Sequence, residues 1–135
     1  MSKEMKKDMP DKEHIFDIDV QGDTTGDTFR GEFECRIMNR KERAMADKHF
    51  AMLNGGLIDQ VSIVTVDLHR MIAHLRYSLT DYPNFWKKAD LGYELFDINV
   101  IREVYEKVLF FEEAWFREIW GDAVVEDLKE NDDQE

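Results

Sequence analysis

Apolar residues fall into step most clearly between Leu57 and Leu79, where Leu57, Val61, Val64, Leu68, Ile72, Leu75 and Leu79 recur at intervals of four and three. That spacing stacks them along one side of an α-helix and predicts a helix over 57–79 as the floor of the core. Asp67, Arg70, His74 and Arg76 take other faces, while Ile63 and Val66 widen the apolar surface beyond the roughly 100° stripe of a surface helix. Contact from two sides is expected. Pro83 must end this helix, because proline disfavours helical geometry in the residue before it. The segment Tyr82-Pro83-Asn84-Phe85-Trp86 then makes an aromatic corner.

Upstream the period drops to two. Phe16, Ile18 and Val20 alternate with Asp17 and Asp19, and Phe29, Gly31, Phe33, Cys35 and Ile37 oppose Arg30, Glu32, Glu34 and Arg36. With the turn formers Gly22 to Asp27 between them, these read as a β-hairpin with one dry face resting on a helix. The charged faces are expected to pair across the ladder. A two-stranded hairpin is marginal in water, so either helices cover it or a neighbouring chain adds strands.

Asn39 followed by Glu42 has capping-box spacing, which starts a helix that runs to Leu53 and stops at Asn54-Gly55-Gly56. Residues 87–96 read as an irregular connection whose Leu91, Tyr93, Leu95 and Phe96 tuck over the helices. Asp97 is placed to cap a last helix with a buried stripe of Ile98, Ile101, Val104, Val108, Phe111, Trp115 and Ile119, interrupted at Gly121. The expected fold class is α+β: an N-terminal β-hairpin packed on a bundle of three main helices. It forms a single domain over 14–121, between a flexible leader at 1–13 and a disordered acidic tail at 122–135.

The charge alters this picture only at the ends. Formal net charge is −12, and the tail carries seven acids against Lys129, so half of the excess lies in the last fourteen residues. A chain this negative is repelled by phosphate backbones, which argues against nucleic-acid binding. Binding to an anionic membrane is disfavoured on the same ground, and no run approaches the roughly 20 apolar residues of a membrane span. The single cysteine, Cys35, reads as a small buried hydrophobe in a reducing compartment.

Chemistry is harder to find. His69 and His74 lie five apart on a helix, so they point more than a quarter turn apart and cannot share a metal ion. Asp67 with Arg70 reads as a surface pair, and Glu112 with Glu113 as a solvated face. Gly22 and Gly26 bracket a turn rather than precede a helix, and no serine sits in a glycine elbow. No enzymatic activity, cofactor or metal is expected. The stronger signal is aromatic: Phe85, Trp86, Phe110, Phe116 and Trp120 exceed what the buried stripes account for, and large apolar patches mark interaction surfaces. These five are the candidate partner-binding residues; the expected partner is another protein, and a homo-oligomer is also expected.

The segment Gly22-Asp23-Thr24-Thr25-Gly26-Asp27-Thr28-Phe29-Arg30-Gly31-Glu32-Phe33 resembles the Gly-x-Thr-Thr-Gly-x-x-(aromatic)-x-Gly-x-Phe opening of small tail assembly chaperones of tailed bacteriophages. Arg40, Arg43 and Asp47, then 82–86, then Gly92 to Val100 continue the likeness in order, so that it spans about 14–110. The resemblance implies a non-catalytic protein of the host cell cytoplasm that binds the long helical tape-measure protein during tail assembly. It would cover an amphipathic stripe with its own apolar surface, while the acidic tail keeps it dispersed. Two other readings fit the residues: a structural virion subunit, such as a head decoration or tail completion protein, and an acidic DNA-mimic inhibitor directed against host defence.

Overall fold

The computed structural model describes residues 9–55 and 61–121. Strands β1 (Glu13–Gln21) and β2 (Thr28–Arg36) form the expected hairpin, in antiparallel register from Glu13 opposite Arg36 to Gln21 opposite Thr28. Phe16, Ile18, Phe33 and Cys35 are buried on its inner face. On the outer face Arg30 Nε reaches Asp19 Oδ1 at 3.0 Å across the ladder. Helix α1 (Arg40–Leu53) opens on a complete capping box: Glu42 N–H donates to Asn39 Oδ1 at 2.8 Å and Asn39 N–H to Glu42 Oε1 at 2.9 Å. Helix α2 (Ile63–Ser78) runs directly into a short strand β3 (Leu79–Asp81), and α3 (Asn84–Lys88) and α4 (Ile98–Trp120) follow.

The architecture is α+β, with a three-stranded antiparallel sheet in the order β1-β2-β3. The third strand comes from the chain itself. It pairs with the outer edge of β2 at Glu34 and Cys35, and Thr80 Oγ1 donates to Glu34 Oε1 at 3.0 Å. One buried core joins Phe16, Phe33 and Cys35 of the sheet to Met71, Ile72 and Leu75 of α2, Trp86 of α3, and Val100, Ile101, Val104 and Val108 of α4. Among the described residues, no helix is long and apolar enough to cross a membrane.

Several boundaries move. The central helix starts at Ile63 rather than Leu57, because Ser62 caps it by accepting from Thr65 N–H at 3.2 Å; residues 56–60 lie outside the described part. Its first turn stands clear of the core, with Ile63 84% exposed, so only the C-terminal half of the expected stripe is a floor. The leader is shorter than 1–13. Strand β1 begins at Glu13, Ile37 N–H donates to Lys12 O at 2.8 Å, and Trp115 Nε1 donates to Pro10 O at 3.2 Å. Residues 1–8 and the acidic tail at 122–135 lie outside the described residues.

Asp97 stands at the N-cap position of α4, as expected, but its side chain makes no capping hydrogen bond. Its carboxylate is buried and turns back to the β1–β2 turn. Oδ1 accepts from the N–H groups of Thr24 and Thr25 at 2.7 Å each, and Oδ2 accepts from Thr25 Oγ1 at 2.7 Å. Asn99 continues the grip, accepting from Asp23 N–H and donating to Gln21 O, both at 2.9 Å. Gly22 is required by this approach, since a Cβ there would lie 2.3 Å from the Asp97 carboxyl carbon. Burial pushes the Asp97 carboxyl upward, but donation from Thr25, through backbone and hydroxyl, and from the Thr24 backbone outweighs it, and the pKa ends below its ordinary value.

A group with a depressed folded pKa contributes stability that is complete above its ordinary pKa and is lost as pH falls through the folded value. Thermal melts from pH 7 down to pH 2 should therefore show Asp97→Asn less stable than the native chain near neutrality, with the gap closing in the acid range. A gap that stays constant with pH would remove Asp97 from this role. Gly22→Ala should lower the melting temperature by about 5 °C or more at neutral pH, the size expected for one overpacked site.

Candidate functional site

Strand β2 ends at Arg36, and Ile37-Met38 lead straight into the cap at Asn39. Met38 occupies the position just before the N-cap, where an apolar residue usually packs on the fourth residue of the helix. That fourth residue is Arg43, and Met38, which is buried, lines one groove together with residues at the end of α4. There, Trp115, Phe116 and Trp120 follow one another along one side of the helix. Trp115 meets Phe116 edge-on at 5.0 Å, and Phe116 stacks on Trp120 at 4.8 Å. Arg43 lays its guanidinium over the Phe116 ring at 5.3 Å. Together with Ile37, Met38 and Arg40 these residues enclose an apolar groove of about 670 Å³.

The five candidate residues therefore part company. Phe116 and Trp120 lie together in the groove, with Trp120 half exposed. Phe110 is 77% exposed but lines neither the groove nor the cleft described below. Phe85 is half-buried, edge-on to Phe29 at 5.1 Å and to Phe33 at 6.1 Å. Trp86 is a correction: it is 1% exposed, packed edge-on against Phe33 at 5.5 Å, and roofed by Gly92, where a Cβ would lie 2.6 Å from the indole. Trp86 belongs to the core and presents nothing to a partner. Phe96, expected to tuck in, is exposed instead.

Comparison with protein-family models, with curated proteins and with solved structures finds no match to this chain. The site must be read from its own chemistry.

Two polar networks lie beneath the surface, and the sequence shows neither plainly. Glu112 is buried rather than solvated, and its Oε2 meets His74 Nε2 at 2.7 Å. Asp67 faces Arg102 at 3.5 Å rather than Arg70, whose guanidinium lies over Phe50 at 4.7 Å. Arg43, Asp47, Arg70, His74, Tyr105 and Glu112 line a second cleft of about 480 Å³ between α1, α2 and α4. The other network is a chain of three. Asn54 Nδ2 donates to Phe50 O, which leaves Oδ1 to accept from His69 Nδ1–H at 2.8 Å, and His69 Nε2 accepts from the Tyr93 hydroxyl at 2.9 Å. Burial lowers the His69 pKa, in keeping with a neutral ring that joins α1, α2 and the loop before α4. His69 and His74 thus serve separate networks.

The Cys35 thiol is pushed up to about 12 by burial, then by the nearby carboxylates of Glu112 and Glu34. It stays protonated at neutral pH and lacks nucleophilic character. Among the described residues, no three His, Cys, Asp or Glu side chains group to hold a metal ion.

The division of the aromatics is measurable by denaturant unfolding. Trp86→Ala should cost about 3–5 kcal/mol, as for other large core truncations. Phe110→Ser and Trp120→Ser should each stay within about 1 kcal/mol of the native chain. Equal costs at all three positions would contradict the division.

Proposed function

We propose that this protein is a non-catalytic binding module that holds an amphipathic helix of a larger protein in the groove between the β2–α1 link and the end of α4. The observation that carries the reading is the groove itself: aromatic and aliphatic walls from Ile37, Met38, Trp115, Phe116 and Trp120, with Asn39, Arg40 and Arg43 completing the lining. A helix seated there would place its apolar stripe against the indoles and rings and its polar stripe toward water. Tryptophan and arginine side by side are the residue types that most often dominate binding energy. The likeness of the Gly22–Phe33 segment to phage tail assembly chaperones supplies the setting, in which the bound helix belongs to the tape-measure protein. Holding that chain until assembly, then releasing it, needs a groove and no catalytic group.

Co-expression with the genes that flank its own, followed by purification, should recover a long helical chain in complex with this protein. Trp120→Ala and Phe116→Ala should each weaken that complex by roughly 30-fold, the effect of losing an interface anchor, while Phe110→Ala leaves it unchanged. A complex as sensitive to Phe110 as to Trp120 would rule the groove out. Stoichiometric recovery of the protein from purified virions would replace the chaperone reading with that of a structural subunit.

A further inference from the structure

We propose that the cleft between α1, α2 and α4 is an oxyanion site, which takes a carboxylate or phosphate group between the guanidinium groups of Arg43 and Arg70. The proposal stands independently of the groove reading. Both guanidinium groups are held by the same device, with Arg43 laid over Phe116 at 5.3 Å and Arg70 over Phe50 at 4.7 Å. Contact through a ring face occupies the plane of a guanidinium and leaves its N–H edge free to donate. Among the described residues, neither edge meets a hydrogen-bond or ion-pair partner. Acids outnumber bases in this chain by 30 to 18, yet among the described residues neither Arg43 nor Arg70 forms an ion pair, in contrast to Arg30, Arg36 and Arg102. The Nη2 atom of Arg43 is buried and has no hydrogen-bond acceptor among the described residues.

A buried charged donor without an acceptor is costly, and natural structures rarely leave one unless something else fills the place. The acids that line the cleft do not fill it. Glu112 is engaged by His74 at 2.7 Å, and Asp47, one turn beyond Arg43 on α1, forms no ion pair with either guanidinium. Both arginines line this one concave space, and guanidinium groups suit a planar or tetrahedral oxyanion, which can accept two hydrogen bonds from a single fork. At about 480 Å³ the cleft has room for a group larger than the anion alone, so the anion is carried either by a small molecule or by an acidic side chain of a bound polypeptide.

The test is an NMR titration of the full-length chain with sodium phosphate and, separately, with glutarate, each matched for ionic strength by sodium chloride. Saturable shifts of the Arg43 and Arg70 side-chain Nε–H signals are expected with at least one of the two anions and not with chloride. Arg70→Gln, at an exposed position where folding is not at risk, should weaken binding by roughly tenfold or more, and Arg70→Lys should restore only part, because lysine lacks the fork. Tighter binding of phosphate assigns the site to phosphate, and tighter binding of glutarate to a carboxylate. In the second case, competition by the co-purified helical chain assigns that carboxylate to a polypeptide, and lack of competition assigns it to a small acid. Signals that follow ionic strength alone, or an Arg70→Gln chain that binds as the native one does, would overturn the proposal.

Discussion

The buried carboxylate of Asp97 is the joint on which the fold depends. It accepts three hydrogen bonds from the β1–β2 turn, and Asn99 adds two more, so the first turn of α4 is fastened to the far end of the hairpin. The opposite end of the same helix is held by Trp115 donating to Pro10 O, just ahead of β1. A helix of 23 residues spans about 34 Å. Fixed at both ends against one strand, it cannot slide or roll relative to the sheet. The groove is built from the end of α4 and the exit of β2, so its shape follows from where this helix is pinned. That dependence also accounts for two residues of the turn: Gly22 because a side chain would strike the carboxylate, and Thr25 because its hydroxyl donates to it.

Much of this was legible because local pattern and local structure agree. Alternation announced the hairpin, with inner residues Phe16, Ile18, Phe33 and Cys35, and the Asn39/Glu42 pair announced the start of α1. What escaped was decided by contacts between distant residues. Strand β3 is three residues long, too short for alternation to register, and exists because β2 offers it an edge. The stripe from Leu57 looked continuous because periodicity ignores where a cap can form; Ser62 breaks it. Asp97 has both the residue type and the position of a helix cap, and only the turn some 70 residues upstream reveals its use.

The site was legible by halves for the same reason. Phe116 and Trp120 stood out as aromatics that a buried stripe did not need. The opposite wall did not, since Ile37 and Met38 read as the end of a strand and a linker. Met38 did carry a signal: an apolar residue before a cap whose usual partner position holds Arg43. Trp86 misled because an aromatic beside a proline turn reads as exposed, whereas here the turn folds the indole under Gly92. The second cleft had no signal at all. Its Arg43, Arg70 and Glu112 come from three helices, and each has an ordinary surface reading when taken alone.

Exposure by itself does not identify the binding face. Ile63, Val64, Phe96 and Phe110 are all more open than Trp120, yet they are scattered over α2, the loop before α4 and the middle of α4. Single exposed apolar residues are the normal condition of protein surfaces. The energy of covering them grows with the area that one partner can cover at once, and water must leave the whole patch for that area to count. Trp115, Phe116 and Trp120 meet the condition because Met38 and Ile37 close the other side. Concavity converts three modest exposures into one continuous apolar surface. Arg43, over the Phe116 ring and lining both the groove and the cleft, places a positive charge beside that surface.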